Sequence, residues 1–285
     1  MPSTIKLIEC PRDAMQGWTH FIPTETKVNY LNTLLKVGFD TLDFGSFVSP
    51  KAIPQLKDTA DVLSKLDLTN TKTKLLAIIA NQRGAEEAAS YSEITYLGFP
   101  FSVSEEFQRR NTNSSIEESL SRVKDIQELC LKKNKSLVIY ISMGFGNPYG
   151  DPWSAELVSS WVKRLAQMGI SIIALSDTVG VSNPANIKEL FSYLIPEMPN
   201  VEFGAHLHSL KTNWEEKVHA AYESGCRRFD SAMRGVGGCP MANDDLVGNL
   251  ATENLVSYFN GFKALNLDEN YFSKSMELAG KIFQS

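Results

Sequence analysis

Apolar residues along this chain come in two alternating rhythms. Short aliphatic and β-branched runs, which suit a pleated sheet, occur at Ile5–Glu9, Thr41–Phe44, Lys74–Ala80, Ile94–Phe99, Leu137–Ser142, Ser171–Ser176, Val201–His208 and Arg228–Ala232. Between them, apolar residues recur at steps of three and four, the spacing of one helix face. Ile116, Leu120, Val123, Gln127 and Cys130 mark such a face, with Ser114 and Glu117 as its expected capping box. Asp151 and Pro152 are expected to open the next helix, which carries Leu157, Trp161, Leu165 and Met168 and stops at Gly169. Asn183-Pro184 opens another, with Ile187, Leu190, Phe191 and Leu194 on one side, and the stretch 267–283 reads as a last helix.

Strands that alternate with helices imply parallel pairing, because a parallel connection needs a crossover. Eight such units, with no linker or charge block between them, predict an α/β fold: a (β/α)8 TIM barrel with an additional C-terminal helix. Residues 1–285 would then form a single catalytic domain, with an open doubly wound sheet as the alternative. A chain of 285 residues that is 43% hydrophobic can supply a core of that size. Its net charge of −5 leaves no basic excess for a nucleic-acid backbone. The apolar runs near 75–80 and 170–175 are too short to cross a bilayer, and the first apolar segment is too short for a secretory signal. Four cysteines, at 10, 130, 226 and 239, show no metal-binding or scaffold spacing and fit a reducing compartment. A soluble cytoplasmic protein without nucleic-acid or membrane partners is expected.

In such a barrel the chemistry sits at the C-terminal ends of the strands, and the unusual polar residues fall there. The first strand runs into Pro11-Arg12-Asp13, the second ends at Asp43 before Gly45–Pro50, and the sixth ends at Ser176-Asp177-Thr178. The seventh closes with His206-Leu207-His208, and the eighth is followed by Gly235–Pro240 and by Asn249 at an expected helix start. Two histidines two residues apart on a strand point to the same side, which makes them half of a metal site or a hydrogen-bonded pair. Asp13 and Asn249 are candidates for the missing ligands, giving a mixed nitrogen and oxygen set suited to Mg²⁺, Mn²⁺ or Zn²⁺. Cys239 lies between glycines and a proline, where an exposed thiol can move protons. Arg12 is placed to stabilise a developing oxyanion, or to form a salt bridge with Asp43 or Asp177. Those aspartates read either as general bases or as the groups that hold Arg12. The glycines at 144, 146 and 150 read as a flexible loop, and Arg109-Arg110-Asn111 as a phosphate contact or a solvated surface.

Taken in order, Pro11-Arg12-Asp13, the segment SFVSPK at 46–51, Asp177–Gly180, the histidine pair, GVGGCP at 235–240 and GNLATE at 248–253 resemble the 3-hydroxy-3-methylglutaryl-CoA lyase family, from about residue 5 to 260. The resemblance implies a divalent cation, Mg²⁺ or Mn²⁺, held by Asp13, His206, His208 and Asn249. It also implies retro-Claisen cleavage of the hydroxymethylglutaryl thioester to acetoacetate and acetyl-CoA, within leucine degradation and ketone body metabolism. His206 or Asp177 would serve as base, Arg12 would stabilise the enolate, and Cys239 would return the proton. Gln16, Arg109, Arg110, Asn111 and Thr178 would meet the acyl-CoA substrate, in a homodimer.

The chain also departs from the family pattern. Val138-Ile139-Tyr140 stands where an Arg-x-Tyr is usual, Asn147 replaces a cysteine, and Ser209-Leu210 follows the second histidine in place of Asp-Thr. Beyond Cys239-Pro240, Asp244 and Asp245 would bring negative charge toward an anionic substrate. A different branched 3-hydroxyacyl-CoA is therefore compatible with the pattern. A condensing synthase of the same barrel superfamily and a non-catalytic acyl-CoA or metal-binding barrel are the competing readings.

Overall fold

The computed structural model describes residues 4–238 and 247–284. Cys239, Asp244 and Asp245 lie outside the described residues. The barrel strands are β1 (Lys6–Glu9), β2 (Thr41–Ser46), β3 (Lys74–Ile78), β4 (Ile94–Ser102), β5 (Ser136–Ser142), β6 (Ile172–Ser176), β7 (Glu202–His206) and, after the two-residue β8 (His208–Ser209), β9 (Arg228–Ser231). All eight pair in parallel, each with the next, and β1 closes the barrel on β9 through Lys6↔Arg228 to Glu9↔Ser231. This is the closed (β/α)8 barrel that the alternating pattern predicts, and the open-sheet alternative falls.

Strand residues on the outward faces, such as Leu75, Leu97, Ile139, Ile173 and Phe229, pack beneath the surrounding helices in one continuous core. The inward faces alternate with them. Leu76, Ile78, Tyr96, Val138, Tyr140, Ile172 and Ala174 form a separate cluster inside the barrel. The final helix, Glu269–Ile282, starts at an Asp268 cap and packs against the helix Thr24–Leu35. It is the additional C-terminal helix expected from the sequence.

Several local expectations are corrected. The capping box before Ile116 is formed by Ser115 and Glu118, one residue later than Ser114 and Glu117. The following helix begins at Ala155 with Ser154 as its cap. Asp151 instead accepts hydrogen bonds from the Ser104 hydroxyl and the Glu106 amide, so it caps the helix Glu105–Thr112 from outside. The loop at 144–151 is tied by Asn147 to the Asp151 and Tyr149 backbone, and the Trp153 indole donates to Gly144. The Asn183 cap is as expected and pairs reciprocally with Asn186.

The seventh strand is shorter than the run Val201–His208 suggests. It stops at His206, and the chain turns so that His208–Ser209 pairs antiparallel with β10 (Gly248–Asn249). Asn249 therefore lies on this small ladder, and the helix Thr252–Tyr258 starts three residues later.

Glu9, at the end of β1, is fully buried, accepting from the Met233 amide and bonded to the Thr252 hydroxyl, which itself reaches Ser231. Burial pushes its carboxyl up to about 8, against the lowering effect of those two hydrogen bonds. A neutral Glu9 can donate to Thr252, so the chain of hydroxyls remains satisfied. Because the folded state holds this proton more tightly than the unfolded one, its contribution to stability declines as pH rises from 4.5 to about 8. Glu9→Gln is expected to lack this decline. Thermal midpoints measured across that range should shift in favour of the variant as pH rises, and parallel curves would refute the assignment.

Candidate active site

The C-terminal mouth of the barrel contains a cleft of about 470 Å³. Arg12, Asp13, Tyr140, Thr178, His206 and His208 contribute to its wall, with Val48, Ile53, Ile78 and Phe107 on its apolar side. Arg12 and Asp13 reach it from a short helix, Pro11–Gln16, whose first position is proline, suited to helix initiation.

Arg12 is 7% exposed and its guanidinium is almost fully committed. Nε and Nη2 donate to both oxygens of Asp43, the closest at 2.6 Å, while Nη1 donates to Asp13 at 2.8 Å and Gln16 at 3.0 Å. The strand register between β2 and β3 shifts between Asp43 and Gly45, the kind of bulge that re-aims a side chain at a barrel rim. Desolvation works against the charge on Arg12, but Asp43 and Asp13 overcome it and hold the guanidinium protonated. Of the two expected partners, Asp43 takes this part and Asp177 does not.

Asp13, His206 and His208 each place one potential ligand atom within 4.8 Å of the other two. Burial raises the Asp13 carboxyl, but the Arg12 guanidinium, foremost among its neighbours, outweighs it and brings it down to about 2. His208 is driven the other way, to about 4, chiefly by burial, so its imidazole is neutral. Its Nε2 is buried and has no hydrogen-bond partner among the described residues, a costly state unless a ligand takes the lone pair. The pairing Asn249↔His208 brings Asn249 alongside, and its Nδ2 donates to Asp13 at 2.8 Å and to the Val236 carbonyl at 3.0 Å. One carboxylate, two imidazoles and an adjacent amide suit a borderline or hard divalent cation. The four expected metal residues are thus brought together.

The glycine-rich loop runs against this group. A Cβ at Gly237, where φ is +104°, would lie 2.6 Å from Asn249 Nδ2 and 3.0 Å from the Asp13 carbonyl. Only glycine lets the chain that leads to Cys239 pass so near the ligand set.

Asp177 faces away from the cleft. Its carboxylate is fully buried, bound at 2.9 Å by Lys217 and also by the Ser182 hydroxyl and amide. The same ammonium donates to the His208 carbonyl at 2.8 Å, so Asp177 acts on the site by holding Lys217 under the histidine backbone. Thr178 remains on the cleft wall, its oxygen accepting from the Met143 amide. Arg110 and Asn111 line the cleft, whereas Arg109 is exposed, pairs with Glu105 and lies off it. Arg110 pairs with Glu106 and stacks over Tyr149. His20 is exposed and His219 bonds Tyr258. Cys10, Cys130 and Cys226 are buried and unpaired. Lys217 escaped the sequence reading because a lysine in a helix ordinarily faces water. Asp230, which bonds His206 at 3.1 Å, was signalled only by its inward phase on β9.

A family model described as HMGL-like matches residues 5–275. The chain belongs to the HMGL-like family. Among curated relatives, mitochondrial hydroxymethylglutaryl-CoA lyase of Mus musculus is 34% identical over 264 residues, covering 92% of this chain and 80% of that protein. Hydroxymethylglutaryl-CoA lyase YngG of Bacillus subtilis is also 34% identical, covering 86% and 81%. A solved lyase structure from Acinetobacter baumannii, in complex with coenzyme A and 3-methylmalate, superposes with a TM-score of 0.89 at 29% identity, covering 98% of this chain and 91% of that one. For the Bacillus subtilis lyase structure the TM-score is 0.90 at 31% identity, with 99% and 94% coverage.

In this HMGL-like barrel, Asp177→Asn is expected to strand the Lys217 ammonium in the interior. Chemical denaturation should show a loss of about 3–5 kcal/mol, the usual result of breaking a buried ion pair. A variant of unchanged stability but abolished turnover would return Asp177 to the role of base.

Proposed function

We propose that the protein cleaves 3-hydroxy-3-methylglutaryl-CoA to acetoacetate and acetyl-CoA, or a close branched 3-hydroxyacyl-CoA to acetyl-CoA and the matching carbonyl product, in a divalent-metal-dependent retro-Claisen reaction. The observation that carries this reading is the convergence of Asp13, His206 and the unpartnered His208 Nε2 on a cleft walled by Arg12. Membership of the HMGL-like family and lyase-named relatives over most of the chain support it.

Asp13, His206, His208 and Asn249 would hold the cation. A bound Mg²⁺ or Mn²⁺ supplies orientation of the substrate oxygens and Lewis-acid polarisation. Arg12, fixed by Asp43, Asp13 and Gln16, presents a preorganised positive charge to the enolate oxygen, which costs little reorganisation as charge develops. Removal of the tertiary hydroxyl proton belongs to the cleft floor around His206, not to Asp177, whose oxygens are committed elsewhere. Cys239, one residue beyond the described part of the glycine loop, would return a proton to the enolate carbon. Thr178, Gln16, Arg110 and Asn111 would meet the acyl-CoA, with Arg109 outside that set because it lies off the cleft.

The reading also places the enzyme in the cytoplasm, as a homodimer, acting in leucine degradation or ketone body metabolism. The three described cysteines form no disulfide, and no described helix is long and apolar enough to cross a membrane.

The decisive experiment is a panel of branched 3-hydroxyacyl-CoA thioesters with release of acetyl-CoA, the product common to all of them, as readout. Cleavage of the hydroxymethylglutaryl thioester, lost in EDTA and restored by Mg²⁺ or Mn²⁺, is expected. Cys239→Ala should lower turnover at least a hundredfold, the scale of losing a general acid, without changing Mn²⁺ affinity. Acyl-CoA binding without turnover of any panel member would favour a binding module instead.

A further inference from the structure

Beneath the proposed ligand set, the barrel axis carries charge that no step above uses. Arg228, on β9, is 1% exposed. One of its nitrogens, Nη1, reaches Glu202 at 3.2 Å, while Nε and Nη2 have no hydrogen-bond partner. Two residues on, and therefore on the same inward face, Asp230 is 2% exposed and leaves Oδ1 without a partner while Oδ2 meets His206 Nδ1 at 3.1 Å. The register Gly204↔Arg228 sets His206 level with Asp230 across the two strands. Gly204 makes room for this, since a Cβ there would meet Arg228 Cδ at 3.1 Å. From β5, two strands round the barrel, Tyr140 sets its ring edge-on to His206, 5.6 Å between centroids, and its buried hydroxyl also has no partner among the described residues.

Among the described residues these are four unpartnered polar atoms on three buried side chains of the barrel interior, a state rarely left so. Buried donors and acceptors of this kind are bridged by ordered water, because each unmade hydrogen bond costs free energy. Arg228 and Tyr140 bring donors, and Asp230 Oδ1 is an acceptor. Burial and the neighbouring carboxylates push the Tyr140 phenol well above its ordinary range, so it keeps its proton for donation. A carboxylate can only accept, so the contact with Asp230 puts the His206 proton on Nδ1 and leaves the Nε2 lone pair free.

We propose that Asp230 is a positioning residue for His206, and that Arg228 fixes Asp230 in turn through water shared with the Tyr140 hydroxyl. The column Arg228–Asp230–His206 selects which ring nitrogen faces the cation. It rests on the metal-dependent reading above for its consequence, though not for the tautomer it sets. A carboxylate behind a ligand histidine raises ligand basicity and fixes ring orientation, and its loss costs about 10–100-fold in metal affinity.

The test has two parts. In metal-free wild-type protein at mildly alkaline pH, long-range ¹H–¹⁵N correlation should show His206 as the Nδ1–H tautomer. An Nε2–H tautomer overturns the proposal, whatever the protein binds. Mn²⁺ titration followed by electron paramagnetic resonance should then show Asp230→Asn weakened about 10–100-fold, with Arg228→Met weakened severalfold and the Nδ1–H population reduced. Wild-type affinity in folded Asp230→Asn refutes the role of the carboxylate, and wild-type affinity and tautomer in Arg228→Met refute that of the guanidinium. Should Asp230→Asn fail to fold, Gly204→Ala displaces Arg228 while preserving every charge and must lower Mn²⁺ affinity. Absence of Mn²⁺ binding in wild type would sink the functional reading, leaving the tautomer measurement to decide this one.

Discussion

A guanidinium enclosed by two carboxylates is the constraint around which the mouth of this barrel is arranged. Arg12 could not remain charged at 7% exposure alone, since burial of an unpaired ion costs far more than a folded chain can sustain. Asp43 meets it with both oxygens and Asp13 with one. The contact joins the helix that follows β1 to the bulged end of β2, and it leaves Asp13 held between Arg12 on one side and Asn249 on the other. Asp13 is thereby kept ionised and oriented at the same time. Arg12 and Asp13 are set by a single network, so neither can shift without the other.

A second layer of ion pairs supports the first from behind. Lys217 is anchored by Asp177 and spends its remaining donors on the His208 and Gly180 carbonyls. Charge is used here for placement rather than for net stability, which buried pairs seldom supply in quantity. The apolar half of the cleft, from Val48, Ile53 and Ile78, stands opposite this polar half. A ligand with one branched apolar end and several oxygens matches that division.

The barrel was legible in the sequence because its signal is periodic and repeated: eight aliphatic runs, each followed by a helical spacing, survive errors of a residue or two. The convergence of Arg12, Asp13, His206 and His208 was legible for a related reason, since the ends of parallel strands must share one face. What escaped depends on single hydrogen bonds. Asp151 looks like a helix cap and is one, but for a helix distant in sequence. Ser115 displaces Ser114 by one position because its backbone, not its neighbours' identity, is extended. Asp177 reads as chemistry from its place at a strand end, whereas its oxygens meet Lys217 and Ser182, contacts that no strand pattern marks. The break of the seventh strand at His206 has no sequence mark at all; it follows from the antiparallel partner that Gly248–Asn249 provides.

That two-residue ladder has a consequence for how the chain reaches its working state. Asp13 and Asn249 are 236 residues apart, and Glu9 and Thr252 are 243 apart. Contacts of such separation form late, because a long loop must be closed before they return any energy. A ribosome-bound chain short of its last strand has the two histidines but neither the closed barrel nor the amide beside Asp13. Assembly of Asp13, His206, His208 and Asn249 is thus coupled to synthesis of the last strand of the barrel and the segment after it. A cation that binds the finished ring would add its binding energy to the closed form alone, acting as a latch on a fold whose two ends meet last.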